Sequence, residues 1–254
     1  MDTVDILYVI GTGSMNKNAE IKYSLRTLEA HCKGVGRVVI SGDIPNFIGR
    51  KATLVPCHDT SVYGKHWNML HKIKEGIVKG KLDRPFLFSC DDHFFTADTD
   101  LRKWPQRLRA EHIYTQEEWE RENGRPCGKY QRSIAATGKV LRAAGLPDIN
   151  TVWHGNMWID PSYLGDVLEL AERNKHTSIY GLEPMMLFEA FMHRDGKDGT
   201  LVPIEKDVKA SSFDDAMRYA DEQGCFSTSD KAWVDGRLEK WFKHVFPNKS
   251  KYEI

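Results

Sequence analysis

Residues 84–95, with the sequence RPFLFSCDDHFF, constrain the fold of this chain more than any other segment. Residues 86–90 form a continuous apolar run after a proline, which is typical of a strand buried on both faces of a parallel sheet. Asp91, Asp92 and His93 follow at once. Charged side chains are rarely buried without a partner, so carboxylates at the end of a core strand predict a bound cation. Open α/β sheets bind ligands at this end of their strands, and we therefore predict a divalent-metal site that holds a phosphorylated ligand.

The composition supports a packed core and excludes several other classes of protein. Of the 254 residues, 41% are hydrophobic and 11% are aromatic. Lys+Arg and Asp+Glu both number 36, so the chain lacks the strong basic character of a dedicated nucleic-acid binder, although a local basic groove stays open. No apolar run is long enough to span a membrane, and the acidic N-terminus is unlike a signal peptide. The five cysteines are scattered and form no CxxC pair, which predicts reduced thiols in a cytoplasmic protein.

Alternating strand and helix patterns predict a nucleotide-binding half-sheet in the first half of the chain. Buried strands are predicted at residues 4–10, 37–40 and 52–56, with helices that start near residues 19 and 67. A glycine-rich turn follows the first strand and consists of Gly11, Thr12, Gly13 and Ser14. Such a turn allows a phosphate to approach the backbone closely, but it is equally typical of an ordinary strand-to-helix connection.

The second half is predicted to be mainly helical and to complete the site. Helical spacing of apolar residues predicts helices at residues 131–144, 161–174, 185–193, 213–222 and 233–245. Residues 150–160 are predicted to form a strand that carries His154 between aromatic residues. We therefore expect one compact α/β unit, with its mostly parallel sheet in the first half.

The residue types after the core strand favour a particular metal. Carboxylates suit Mg²⁺ or Mn²⁺, and an imidazole ligand shifts the preference towards Mn²⁺. Asp91 and His93 are two residues apart and can face the same way, while Asp92 points elsewhere; in the alternative arrangement, Asp92 binds the metal and Asp91 contacts a sugar or ribose. His154 is the fourth candidate ligand, with a hydrogen-bonded core or rim position as its alternative. Without HExxH or GxSxG, a single metal that bridges a diphosphate is the most economical account.

Polar residues at the start of the second predicted helix offer an anion site. Lys65 and Asn68 lie where backbone N–H groups and the helix dipole attract phosphate, although ordinary polarity at a helix start explains each of them too. Further along this helix, Lys72 and Lys74 are predicted to lie on a solvated face.

These blocks resemble the GT-A glycosyltransferases, in which an apolar strand ends in an acidic DxD motif. Residues 91–93 are similar to that motif or to its DxH variant. Residues 18–29, NAEIKYSLRTLE, are similar to the first block of the Stealth-type capsule sugar-phosphate transferases, and residues 37–45 and 85–95 keep the order of that family. The second half, with HGN at residues 154–156 and a late Ser-rich strand, is similar to phage and bacterial GT-A-like transferases proposed to decorate hydroxymethylated pyrimidines in DNA.

The resemblance implies a GT-A-like fold, with residues 1–100 as the nucleotide-sugar-binding half and residues 101–254 as the acceptor-side half of the same domain. It implies transfer of a sugar from a nucleotide-diphosphate sugar to a hydroxyl of a glycan or of a hydroxymethylated pyrimidine in DNA, with Mn²⁺ or Mg²⁺ as cofactor. Asp43 would join the glycine-rich turn in the nucleotide pocket, and Arg26 would lie near the diphosphate or sugar together with Lys65 and Asn68.

Two acidic residues are candidates for the base that activates the acceptor hydroxyl, and both lie in the acceptor half. Asp160 and Glu183 each follow an aromatic strand or turn. Two other functions use the same donor site. A Stealth-type enzyme would transfer a whole sugar-1-phosphate, and a non-catalytic module would bind the nucleotide or a glycan without turnover.

Overall fold

The computed structural model describes residues 2–61, 64–110, 112–199, 201–204 and 207–254. Its strands are β1 (Val4–Ile10), β2 (Cys32–Lys33), β3 (Val35–Gly42), β4 (Thr53–Pro56), β5 (Phe86–Ser89), β6 (His93–Phe95), β7 (Thr99–Asp100), β8 (Gln106–Leu108), β9 (Met157–Ile159), β10 (Leu201–Pro203), β11 (Lys209–Ala210) and β12 (Cys225–Thr228). Its α-helices are α1 (Glu20–His31), α2 (Lys65–Gly80), α3 (Gln116–Asn123), α4 (Lys129–Ala143), α5 (Leu164–Arg173), α6 (Pro184–Arg194), α7 (Phe213–Gln223) and α8 (Arg237–Val245). Short 3₁₀ helices lie at Leu101–Lys103, Pro161–Tyr163 and Asp230–Trp233.

A five-stranded central sheet has the strand order β4-β3-β1-β5-β9. The first four of these strands are parallel, and β9 is antiparallel to β5. The chain runs from β1 outwards to β3 and β4, and then returns to the other side of β1 at β5. Such a reversal of strand order opens a crevice at the carboxyl ends of the strands. The prediction of an α/β fold with a mostly parallel sheet and flanking helices is confirmed.

Helix α2 lies unusually close to the central sheet. A Cβ atom built on Gly76 would lie 2.6 Å from Leu7 Cδ1, and one built on Gly80 would lie 2.7 Å from Val39 Cγ1. Lys72, Gly76 and Gly80 are spaced by four residues, so they lie along one face of the helix. The two glycines therefore bring the Lys72 side of α2 against β1 and β3, where Lys72 itself is buried.

The chain changes sheets directly after β5, and this change positions the acidic motif. All four residues of β5 are buried, as the apolar run predicts. Residues 90–92 then form a short connection, and β6 enters a second sheet with the order β11-β12-β6. This sheet packs in an aromatic cluster of its own with α1 and α8, in which Phe94 lies 4.6 Å from Phe242 between ring centroids. Asp91 and Asp92 therefore lie at the junction of two sheets.

The second half differs from the sequence-based expectation in two places. The strand predicted at residues 150–160 is only Met157–Ile159, so His154 lies in the loop before β9. The last predicted helix is divided into a 3₁₀ helix at Asp230–Trp233 and α8. The helices predicted as residues 131–144, 161–174, 185–193 and 213–222 are confirmed, with small changes at their ends. None of the helices described is long and apolar enough to cross a membrane.

Candidate functional site

A cleft of about 1100 Å³ opens at the carboxyl ends of β1 and β5. Its walls come from the glycine-rich turn after β1, the connection after β5, the start of α2 and the loop that carries His154. A smaller groove of about 470 Å³ adjoins it and shares His154, Lys209 and Asp230 with it. The cleft therefore lies where the strand order reverses, at the position that the sequence predicts for a ligand.

The glycine-rich turn contributes all four of its predicted residues to the cleft: Gly11, Thr12, Gly13 and Ser14. Ser14 Oγ donates to the two carboxylate oxygens of Glu20, at 2.8 and 2.9 Å. Asn18 has a φ of 59° and donates from Nδ2 to the carbonyl oxygen of Gly11 at 2.9 Å. These bonds hold the turn in place at the edge of the cleft.

Asp91 and Asp92 both line the cleft and are half-buried. Within the described residues, neither carboxylate forms an ion pair. Burial raises the pKa of both carboxyl groups. The charges of Asp92 and Glu20 raise the pKa of Asp91 further, whereas Lys209 and His154 oppose the rise at Asp92. Two carboxylates are thus held side by side in a ligand-sized space.

His93 is placed differently from the expectation that it faces the same way as Asp91. As part of β6 it is fully buried, and its ring packs edge-on against Phe95 and Trp104, with centroids at 4.9 and 6.2 Å. Burial lowers the pKa of His93 to about 3, so the ring is neutral. The side chain is directed into the core because β6 belongs to the second sheet, and this placement corrects the expected pairing of Asp91 with His93.

Cationic groups face the acidic pair across the cleft. Lys65, Arg109 and Lys209 line the same cavity, and Lys65 is the first residue of α2, as predicted. Asn68 also lines the cleft, but its side chain is engaged by the preceding loop. Its Oδ1 accepts from the backbone N–H groups of Thr60 and Ser61, at 2.9 and 2.8 Å.

Lys72 is a buried cation and not the solvated residue that the sequence predicts. Only 2% of its side chain is exposed. Its Nζ donates to the carbonyl oxygen of Ile10 at 2.9 Å and lies 3.2 Å from Asp43 Oδ2 and 2.6 Å from Asp59 Oδ1. Asp43 is thus committed to a salt bridge beneath the cleft, and the Lys72–Asp43–Asp59 cluster is fully paired.

His154 forms a dyad with Asp207 at the junction of the cleft and the groove. Its Nδ1 lies 2.7 Å from Asp207 Oδ2, and its backbone N–H donates to Asp207 Oδ1 at 3.3 Å. Arg109 Nη1 lies 3.2 Å from the same carboxylate. His154 and Arg109 hold the pKa of Asp207 down to about 2 against the opposing effect of burial. The dyad fixes the ring orientation and leaves Nε2 for a ligand.

Glu183 also lines the cleft, and it is paired with a histidine. Glu183 Oε2 lies 2.8 Å from His66 Nε2, and both side chains are almost fully buried. Glu183 is the N-cap residue of α6 and accepts from the backbone N–H of Met185 at 3.4 Å. Of the two predicted acidic catalytic candidates, Glu183 is the one that the fold brings to the cleft.

Two other predicted site residues have structural partners away from the cleft. Arg26 forms a bidentate salt bridge with Glu253, at 2.8 Å for both contacts, and donates to the carbonyl oxygen of Phe246. It therefore ties α1 to the end of the chain. Asp160 caps the 3₁₀ helix Pro161–Tyr163 by accepting from the backbone N–H and the hydroxyl of Ser162, at 2.9 and 2.7 Å. These placements follow from helix packing and helix capping.

The residues present fit a cation that is shared with a ligand. Across the part of the chain that the structure describes, no three His, Cys, Asp or Glu side chains are grouped closely enough to hold a metal ion by themselves. The predicted four-residue ligand set is therefore not assembled. Mg²⁺ sites, however, commonly use one or two carboxylates and take their other ligands from phosphates and water. Asp91 and Asp92, which have no ion-pair partner in the part of the chain that the structure describes, match that arrangement.

Several cleft residues were not identified from the sequence. They are Glu20, His66 and Lys209 in the cleft and Asp207 in the adjoining groove. His66 and Asp207 act through partners that are distant in the chain, Glu183 and His154, whereas Glu20 accepts from the nearby Ser14. The burial of Lys72 could have been predicted, because its spacing of four residues from Gly76 places it on the face of α2 that lies closest to the sheet. The sequence contains no comparable local signal for the pairing of His154 with Asp207.

No protein-family model matches the chain, and no curated protein matches it significantly.

Proposed function

We propose that this protein is a metal-dependent glycosyltransferase of the GT-A type that uses a nucleotide-diphosphate sugar. The observation that carries the proposal is the pair of carboxylates, Asp91 and Asp92, at the reversal of strand order in a mostly parallel sheet, where neither has an ion-pair partner among the described residues. A cleft of about 1100 Å³ is large enough for an extended ligand such as a nucleotide-diphosphate sugar.

Each wall of the cleft has a role in donor binding. Asp91 and Asp92 would hold Mn²⁺ or Mg²⁺, which when bound neutralises charge on the leaving diphosphate. Lys65 and Lys209 face the same volume and complement the remaining phosphate charge. The backbone of the glycine-rich turn leaves room for the nucleotide to approach closely.

His154 is the proton acceptor best supported by the geometry. Asp207 holds the ring and stabilises the imidazolium that forms when Nε2 takes a proton. In the proposed step, Nε2 accepts the proton of the acceptor hydroxyl as its oxygen forms a bond to the anomeric carbon of the donor. The bond from that carbon to the phosphate oxygen breaks, and the nucleoside diphosphate leaves with the electron pair. The acceptor would reach His154 through the adjoining groove.

Product analysis tests this proposal. The protein is incubated with Mn²⁺, a panel of nucleotide sugars, and either glycan acceptors or DNA that contains hydroxymethylcytosine. Release of nucleoside diphosphate, together with a glycosylated acceptor, supports glycosyl transfer. Release of nucleoside monophosphate would instead support transfer of sugar-1-phosphate, and Mn²⁺-dependent binding without turnover would support a binding module. Absence of any nucleotide binding would contradict both transferase functions and would leave only a glycan-binding module.

A further inference from the structure

A buried chain of hydrogen bonds ends on Glu183 in the wall of the cleft. His66 Nε2 lies 2.8 Å from Glu183 Oε2, and His66 Nδ1 lies 2.5 Å from Ser133 Oγ. Ser133 Oγ in turn donates to the carbonyl oxygen of Gly181. The three side chains come from the start of α2, from α4 and from the N-cap of α6, and all are buried.

The donors and acceptors in this hydrogen-bond network restrict where its protons can lie. A carbonyl oxygen can only accept, so the single hydroxyl proton of Ser133 is committed to Gly181. Ser133 Oγ must then accept from His66 Nδ1, which therefore carries a proton. Because Nδ1 is the donor, Ser133 is not free to act as a nucleophile, although the residue types resemble a Ser-His-Glu triad.

The contact between His66 Nε2 and Glu183 Oε2 then holds one proton. It lies either on nitrogen, facing a carboxylate, or on Oε2, facing a neutral ring. In both arrangements Oε1 of Glu183 carries no proton. A proton on Oε1 would require an imidazolium beside a carboxylic acid, and the N–H of Met185, 3.4 Å away, donates to this same oxygen. Oε1 is thus obliged to act as a hydrogen-bond acceptor.

The backbone holds this arrangement in place. Gly181 has a φ of +91°, and a Cβ atom there would lie 2.6 Å from the backbone nitrogen of Trp67. Nearby, the backbone N–H of Glu183 donates to Thr137 Oγ1 at 2.8 Å, so this segment is also tied to α4. The carbonyl group of Gly181 and the carboxylate of Glu183 are therefore fixed relative to each other.

We propose that Glu183 Oε1 recognises a hydroxyl group on the sugar ring of the donor, with His66 and Ser133 as positioning residues. This inference rests on the proposed function and adds which part of the donor lies where. A phosphate offers only acceptor oxygens, so it cannot donate a hydrogen bond to Oε1, and its negative charge belongs beside Lys65 and Lys209. The neutral, hydroxyl-rich sugar ring belongs at the start of α6.

Three variants separate this recognition from other roles of Glu183. Glu183→Gln keeps an acceptor oxygen, because its amide N–H can donate to His66 Nε2, whereas Glu183→Met removes the acceptor. Affinities are measured by calorimetry with Mn²⁺ for UDP, UDP-glucose, UDP-galactose, GDP and GDP-mannose. Glu183→Met is expected to weaken the best-bound nucleotide sugar by about 10- to 100-fold. Glu183→Gln is expected to weaken it by less than about 3-fold, because its acceptor oxygen is retained. Neither substitution should change the affinity for the parent nucleoside diphosphate, and Glu122→Gln, on an exposed part of α3, is the control.

Kinetics and analogues give a second comparison. If Glu183 only recognises a hydroxyl, Glu183→Gln changes KM little and keeps kcat, whereas a proton-accepting role would make Gln as damaging as Met. A donor analogue that lacks the recognised hydroxyl should lose affinity with the wild-type protein and show no further loss with Glu183→Met. Equal losses for Gln and Met, or no loss for Met, would overturn the inference.

An NMR measurement tests the inference even if the proposed function fails. Histidine-labelled protein is expected to show a protonated Nδ1 on His66, and Ser133→Ala should release this constraint. Glucose, galactose and mannose, each at millimolar concentration, report on hydroxyl binding without a nucleotide by shifting the His66 signals. If UDP and GDP fail to bind with Mn²⁺, the proposed function fails; if Nδ1 is unprotonated, or if no hexose and no nucleotide sugar shifts the His66 signals, the inference fails.

Discussion

Two groups of charged residues adjoin the same cleft and are treated in opposite ways by the fold. In the Lys72–Asp43–Asp59 cluster, every ammonium donor has a protein acceptor, and the lysine is buried. At the end of β5, Asp91 and Asp92 face the cavity, and within the described residues they have no ion-pair partner. The first group stabilises the turn after β1, whereas the carboxylates of the second group face the cleft. Carboxylates that face a cleft and have raised pKa values are typical of ligand-binding sites.

The largest effect is expected from removing the unpaired charges. Asp91→Asn combined with Asp92→Asn should lower Mn²⁺-dependent turnover of the donor by about 10³-fold or more, because the leaving diphosphate loses its counter-charge. The measurement is release of nucleoside diphosphate, with Asp83→Asn, an exposed residue before β5, as the matched control. Unchanged turnover in the double variant would contradict the assignment of the metal site.

The next largest effect concerns the His154–Asp207 dyad. Asp207→Asn should lower kcat by about 10²-fold, since the ring loses the carboxylate that orients it and stabilises its protonated form. The pH profile of kcat should change as well, which would not follow from a loss of folding alone. A variant with normal kcat and a lowered melting temperature would mean that the dyad is only structural.

Breaking the paired cluster should affect stability more than chemistry. Lys72→Met leaves Asp43 and Asp59 without their shared cation, and we expect a loss of about 3 kcal/mol in the free energy of unfolding. Denaturant unfolding of this variant and of Lys139→Met, at an exposed position in α4, provides the comparison. Equal stability of the two variants would show that the buried lysine is not needed to hold the turn.

The smallest effect is a dependence of metal-free stability on pH. Because the pKa values of Asp91 and Asp92 are raised in the folded protein, the folded state holds these protons more tightly than the unfolded chain. Their contribution to stability is present in acid and is lost as the pH rises through the folded-state values. Asp91→Asn should therefore increase metal-free stability at pH 8 by about 1 kcal/mol and abolish part of the stabilisation by Mn²⁺. Thermal unfolding between pH 5 and pH 8, with and without Mn²⁺, measures both changes; a destabilised Asp91→Asn protein at pH 8 would contradict this account.

Local patterns were sufficient to predict the central sheet and the position of the acidic motif. Apolar runs fix β1 and β5, and the carboxyl end of β5 places Asp91 and Asp92 in the cleft. The direction of His93 could not be obtained in the same way, because it depends on β6 pairing with β12, more than a hundred residues later in the chain. An alternation rule applies within one strand, and here the motif connects two different sheets.

The same limit explains the other differences at the site. Arg26 has the residue type of a phosphate ligand, but its partner, Glu253, comes from the far end of the chain. Asp160 precedes a proline at a helix start, and local capping accounts for its polar contacts. In both cases the residue type suggested a role in ligand binding. A tertiary or capping contact, which the sequence does not reveal, occupies the side chain instead.

The close fit of α2 against the sheet also makes this helix a single carrier for distant side chains. Lys65, His66, Asn68 and Lys72 all reach the cleft from α2, while Gly76 and Gly80 set its distance from β1 and β3. A methyl group added at Gly76 would lie 2.6 Å from Leu7 Cδ1 and 3.3 Å from Ser41 Cβ, so either Leu7 repacks or α2 moves away from the sheet together with Lys65, His66 and Lys72. Substitutions at Gly76 or Gly80 are therefore expected to weaken ligand binding by shifting α2, although neither residue lies in the cleft.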